Sequence, residues 1–230
     1  MGKTRFLYVK ERENMLPATR FYMIRHGQTE TNLAEVIAGQ MNSPLTELGK
    51  KQAEKARSAV ESLEEKPKAI IHSHLDRARD TALAINFRLG LPMHEDDRIS
   101  EIYFGKWEGA SYKEALEKFV NGEDPPEGET FEDFKMRVAA GVSSCCEKHE
   151  SPVLFVTHGG VMRALAAIYG LKINAGHFIN CHLYEFEPSK INTTLPWRVW
   201  QHDILECGTI NRRTSPLFHG KKQNNLVACP

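Results

Sequence analysis

Three short stretches of uninterrupted apolar residues constrain this chain more than anything else in it: "FYMI" at 21–24, "AII" at 69–71 and "VLFV" at 153–156. Apolarity without alternation suits strands covered on both faces, as in a parallel sheet. Each run gives way at once to polar residues: Arg25-His26-Gly27, His72-Ser73-His74 and Thr157-His158-Gly159. In α/β sheets ligands gather at the carboxyl ends of the strands, so the three polar endings are expected to converge. A cation, a titratable imidazole and a residue without a side chain in succession read as a strand-end site for an anion.

Helical periodicity fills the intervals. After Thr46, a candidate N-cap, Leu48, Ala56, Ala59, Val60 and Leu63 fall on one face and lysines and glutamates on the other. A second helix is expected from Ser73, with Asp76 at capping-box spacing and Leu75, Ala78, Ala82, Ile85 and Leu89 turned inward until Gly90 and Pro92. A third follows Thr130, with Phe131, Phe134, Val138, Val142 and Cys145 in phase, and a fourth runs from about Val161 to Gly170. "CHLYEF" and "WRVWQH" read as late strands. The alternation predicts an α/β fold, a three-layer α/β/α sandwich with a mainly parallel sheet, in one domain over 18–203. Residues 1–17 form an N-terminal extension and 204–230 a C-terminal tail without helical or strand period. The Gly- and Pro-rich segment 121–130 reads as a surface connector that could overhang the site.

Thirty basic and thirty acidic side chains cancel, so no whole-molecule field points to nucleic acid or an anionic membrane, and any anion site must be local. The apolar clump at 6–9 is far too short for a signal-peptide core or a spanning helix. Cys145, Cys146, Cys181, Cys207 and Cys229 are an odd set without C-x-x-C spacing, which suits reduced thiols and a cytoplasmic protein.

"IRHGQTETN" at 24–32, "SHLDRARDTA" at 73–82, "EIYFGKWEG" at 101–109 and "VTHGGVMRAL" at 156–165 resemble, in order, the four signature blocks of the histidine phosphatase superfamily. The resemblance spans roughly 20–187 and implies a phosphoglycerate mutase-like fold, in the branch of small bacterial phosphatases such as α-ribazole phosphatase. It assigns His26 the role of nucleophile, through a phosphohistidine. Near neutrality much of an ordinary imidazole is unprotonated and able to attack phosphorus, and Gly27 would let phosphate approach. Arg25 and Arg77 offer planar forks that match phosphate oxygens, and the family uses both. Arg79, two residues along the same helix, should point elsewhere. By resemblance His158 completes the cradle as a charged donor, the Gly159 amide adds a bond, Asn32 contacts phosphate, and Glu101 protonates the departing alkoxide, with Glu108 its competitor.

Two features depart from the family pattern. Ala38 stands before Gly39 where a polar side chain is frequent, and no paired arginines follow Glu101 like those with which true mutases hold phosphoglycerate. The expected activity is therefore a phosphatase acting on a small phosphorylated metabolite, with no cofactor and no metal. A phosphoglycerate mutase and a non-catalytic phospholigand-binding module are the alternatives. His72 and His74, which share a face at strand spacing, would serve a metallophosphatase, but no second ligand cluster accompanies them. Substrate identity and oligomeric state are not legible.

Overall fold

The computed structural model describes residues 16–173, 178–190, 195–204 and 209–218. The three apolar runs are strands β1 (Phe21–Arg25), β2 (Ala69–His72) and β4 (Val153–Thr157), joined by β3 (Met93–Glu95), β5 (Leu183–Pro188), β6 (Trp197–Ile204) and β7 (Ile210–Thr214). They form one sheet in the order β3-β2-β4-β1-β5-β6-β7. β3, β2, β4 and β1 run parallel, whereas β5, β6 and β7 continue from β1 antiparallel, so the sheet is mixed.

Successive residues of each central strand point to opposite faces, and both faces are covered. Tyr22, Ile24, Ile70, Leu154 and Val156 pack with helices α2 (Glu47–Ser62) and α3 (Asp76–Asn86). Phe21, Met23, Ile71, Val153 and Phe155 pack with α5 (Phe131–Lys148) and α6 (Gly159–Ile168). Two-sided burial is why these strands carry no polar alternation. The short α1 (Glu30–Leu33) and α4 (Tyr112–Val120) lie in the connections over the strand ends.

Thr46 caps α2 as expected, and Thr130 caps α5, each accepting a backbone N–H three residues on. Three local expectations are corrected. Leu48 is 52% exposed, because Gly49 and Ala53 take the buried face of α2. Ser73 does not cap α3, which starts at Asp76 with Leu75 as N-cap and no side-chain cap bond; the Ser73 hydroxyl is used elsewhere. The tail contains a strand, β7, whose "INRRT" lacks apolar alternation because charge holds it: Arg213 pairs with Asp203 of the neighbouring β6, and Arg212 reaches past it to Glu185 of β5. Residues 1–15, most of the expected N-terminal extension, together with Cys207 and Cys229, lie outside the described residues.

Glu185 anchors this charged edge, receiving Arg20 at 2.8 Å, Arg212 at 2.8 Å and His202 at 2.9 Å. Burial pushes its carboxyl up, but the hydrogen bonds from His202 and Arg212 outweigh it and hold the group down at about 2. A depressed carboxyl stabilises the fold above its unfolded value of about 4.3, and that contribution is lost as pH falls toward 2. Thermal unfolding of Glu185→Gln against the parent should show a Tm gap that is full at pH 6 and closes between pH 4.5 and 2.

Candidate active site

The carboxyl ends of β1, β2 and β4 lie flush, since Arg25 pairs with Thr157 and His72 with Val156 in the ladder. One residue further, the His26 N–H donates to Thr157 O at 2.9 Å and the Ser73 N–H to Val156 O at 3.2 Å. His26, Ser73 and His158 thus leave the sheet side by side, with the two imidazole rings 5.1 Å apart.

His26 is buried, and its Nδ1 lies 2.7 Å from Gly27 O. A carbonyl only accepts, so Nδ1 carries the hydrogen and Nε2 keeps its lone pair. Burial, then Arg77 and Arg25, hold the imidazole well below its ordinary value, leaving it unprotonated at neutral pH. The loop is pinned by Asn180, whose Nδ2 donates to His26 O at 2.7 Å, and by Thr81, whose Oγ1 accepts the Gly27 N–H at 3.0 Å and donates to Arg77 O at 2.7 Å. A Cβ on Gly27 would come within 2.5 Å of Gly49 O, so packing against the first turn of α2 already demands glycine there.

Arg77 is fully buried, donating to Gly39 O at 2.6 Å and Met41 O at 2.9 Å. Burial pulls it down to about 10, against Glu101, and it remains a cation at neutral pH. Each terminal nitrogen has a second hydrogen, so the fork can hold this loop and an anion together. Arg25 donates to Phe178 O at 2.6 Å, while its buried Nε has no partner. Arg79 is exposed and pairs with Asp76 and Asp80, away from the site.

His158 is wholly buried. Its Nε2 lies 2.9 Å from Ser73 Oγ and its buried Nδ1 has no partner. The expected charged donor is, in the protein alone, held far below its ordinary value by burial first, then by Arg77, His26 and Arg25. Gly159 opens α6, where backbone N–H groups have no intrahelical acceptor. Asn32 completes a capping box with Thr29, and its Oδ1 accepts the Thr29 N–H at 3.2 Å and Asn180 Nδ2 at 3.5 Å, leaving the amide as the group to donate.

The two glutamates of the third block have separate placements. Both oxygens of Glu101 accept backbone N–H groups, from Ile102 at 3.0 Å and Gly160 at 3.1 Å, and the side chain lines the pocket. Glu108 instead accepts the amides of Gln40 at 2.8 Å and Phe104 at 3.3 Å. It braces the loop that holds Arg77, and a Cβ on Gly39 would sit 2.1 Å from its Oε1. His72 and His74 diverge: His72 Nδ1 meets Ser73 O at 3.0 Å, and His74 Nδ1 meets Ser100 Oγ at 2.8 Å.

The pocket, about 700 Å³ including its mouth, is floored by Arg25, His26, Asn32, Arg77 and Glu101. Phe104, Tyr112, Leu116, Phe119 and Phe131 supply much of its wall. Arg163 lines it too, its guanidinium 4.8 Å from the Phe119 ring and 5.0 Å from that of Phe131. The 121–130 segment is fastened beside it, with Pro126 O accepting Lys106 N at 3.0 Å and Tyr103 O accepting Glu129 N at 2.8 Å. Sequence reasoning missed Thr81, Asn180, Gly160 and Arg163. Thr81 stands four residues after Arg77, one turn along the same helix face, which was a readable signal; Asn180 carries none.

Residues 21–196 match the model of the histidine phosphatase superfamily, branch 1. The chain is 34% identical over 175 residues to a metal-independent phosphoserine phosphatase of Arabidopsis thaliana, covering 70% of this chain and 73% of that one. It is 33% identical over 177 residues to a probable phosphoglycerate mutase of Yersinia pestis, covering 70% and 81%. Among solved structures it is similar to a mycobacterial glucosyl-3-phosphoglycerate phosphatase with VO3, at TM-score 0.65 and 28% identity over 79% of this chain and 96% of that one.

Proposed function

Because the chain belongs to branch 1 of the histidine phosphatase superfamily, we propose that it hydrolyses a small phosphomonoester in two steps through a phosphohistidine at His26, with no metal ion. The observation that carries this reading is the ring of uncommitted polar atoms: His26 Nε2, left bare by the Nδ1 contact with Gly27 O, beside Arg25 Nε and His158 Nδ1, both buried without partners. Buried polar atoms without partners are costly, and a tetrahedral anion would satisfy them together.

In the first step His26 Nε2 bonds to phosphorus as the ester P–O bond breaks. Arg25, Arg77, His158, Asn32 and the Gly159 amide take the equatorial oxygens, where charge is spread. Glu101 gives its proton to the leaving oxygen, then removes one from the water that attacks the phosphohistidine, returning His26 neutral. The apolar wall supports an alcohol with an apolar body. Cys145, Cys146 and Cys181 are buried free thiols, which fits a cytoplasmic setting; no helix among the described residues is long and apolar enough to cross a membrane.

Rapid quenching with a labelled phosphomonoester should trap an acid-labile phosphohistidine at His26, with turnover unchanged by chelator. The likeness to a probable mutase makes phosphoryl transfer between monophosphoglycerates the second reading. Transfer with negligible phosphate release would favour it over hydrolysis.

A further inference from the structure

Of the guanidiniums lining the pocket, Arg25 and Arg77 donate to loop carbonyls and stand at the phosphate position. Arg163 has no such employment. Among the described residues it makes no hydrogen bond and pairs with no acid; its guanidinium lies 4.8 Å from the centre of the Phe119 ring and 5.0 Å from that of Phe131. Those rings bear no acceptor atoms, so the five N–H groups remain open to whatever enters the pocket. Resting on the phosphatase reading, we propose that Arg163 selects the alcohol by receiving a carboxylate that the leaving group carries beyond a short apolar spacer.

The helix places Arg163 on the correct side of the phosphate. It follows Gly160 by three residues on α6, so the two share a face, with Arg163 about 4.5 Å further along the axis. The Gly160 N–H holds Glu101 Oε2 at 3.1 Å, and Glu101 is the group that meets the leaving oxygen. Helical side chains lean back toward the N-terminus, which in α6 is the end beside His158 and Gly159. An alcohol whose oxygen lies at Glu101 therefore has Arg163 next along its path. Phe104, Leu116, Phe119 and Phe131 face the spacer between them.

The surroundings argue for a ligand and against a purely structural cation. Tyr112 and Glu101 are the titratable groups whose fields reach Arg163. Glu101 commits both oxygens to the amides of Ile102 and Gly160 and forms no ion pair with the guanidinium. Tyr112 lines the same wall, and its hydroxyl has no hydrogen bond among the described residues, so it can donate to the same ligand. Burial pulls Arg163 down from its ordinary value, the mark of a charge held against an apolar wall, yet a guanidinium stays charged at neutral pH. An arriving anion offsets that burial. One cation with Glu101 close by balances a single negative charge better than the two of a second phosphate, and a planar fork matches a carboxylate.

The test is titration calorimetry with phosphonoacetate, phosphonopropionate and phosphonobutyrate, each against its primary amide. Both members of a pair offer the same phosphonate to the floor, so the ratio of their dissociation constants reads the far end alone. In the parent at least one acid should bind about 10- to 100-fold more tightly than its amide. Arg163→Met and Arg163→Gln should bring that ratio to about one, and Arg163→Lys, a point charge without the fork, should keep only part of it. Thermal unfolding checks each variant; the lysine variant, which keeps the charge over the rings, still reports a reduced ratio if the neutral ones fail to fold. An acid preference that persists undiminished in the variants, or is missing from the parent at every length, overturns the assignment. So does an Arg163-dependent preference for alkane bisphosphonates over the acids, which would move the assignment to a second phosphate. Acid preference in a parent that hydrolyses no ester would end the phosphatase reading and leave the subsite standing, whereas equal binding and equal hydrolysis of acids and amides would do the reverse.

Discussion

Replacing His26 with alanine is expected to lower kcat on any phosphomonoester by at least about 10⁴-fold and to abolish the trapped phosphoenzyme, since His26 Nε2 is the proposed attacking atom and His158, the imidazole beside it, is the proposed partner of an equatorial oxygen. The loss should fall on kcat, with phosphate binding retained by Arg25, Arg77 and His158. The fold should tolerate the change: His26 is held through its backbone by Thr157 O and Asn180 Nδ2, which an alanine keeps. In the parent, burial and the two arginines keep the imidazole unprotonated well below its usual range. The free enzyme should therefore show no acid limb near pH 6.5 from this group in kcat/KM. An alanine variant that retains more than a few per cent of turnover would remove His26 from the chemistry.

The second large effect is expected from a single methyl group. A Cβ at position 160 would stand 1.9 Å from Glu101 Oε1 and 2.9 Å from its Cδ, so Gly160→Ala must push the carboxylate out of the place it occupies. By propensity alone alanine should favour α6 by up to about 1 kcal/mol, so lost activity alongside an undiminished Tm would come from the collision. If Glu101 protonates the leaving oxygen, turnover of an alkyl phosphate should fall about 10²–10³-fold. An aryl phosphate, whose phenolate departs with little help, should lose far less. Equal losses across leaving groups would assign Glu101 to binding and not to acid catalysis.

Much of this molecule can be read from its sequence because burial on both faces leaves a strong trace. β1, β2 and β4 stand where their unbroken apolar runs place them, and Thr46 and Thr130 cap their helices as their residue types suggest. Arg25, His26 and His158 adjoin because they end or directly follow strands whose ends the ladder keeps flush, and Arg77 joins them from the first turn of the helix after β2. What escaped is held by contacts that cross the chain. β7 is fastened by ion pairs between segments, so its own residues carry no periodic signal. Ser73 resembled a helix cap, since local spacing cannot reveal a preference for a histidine 85 residues away. Glu101 and Glu108 differ only in which backbone amides reach them from elsewhere in the fold. Leu48 misled because an apolar residue at helical spacing is as compatible with the solvent face as with the core when glycine and alanine supply the close contact.

Most of the pocket wall comes from one continuous piece of chain, 102–134, whereas the floor draws on four separated segments. Acceptance and chemistry are therefore inherited through different parts of the gene. A block exchange across that stretch, made with Glu101, Glu108 and the amides they grip left in place, would redirect the catalyst to another alcohol without rebuilding its reaction centre. Descendants of such a scaffold can drift from one metabolite to the next while the transfer step itself stays fixed.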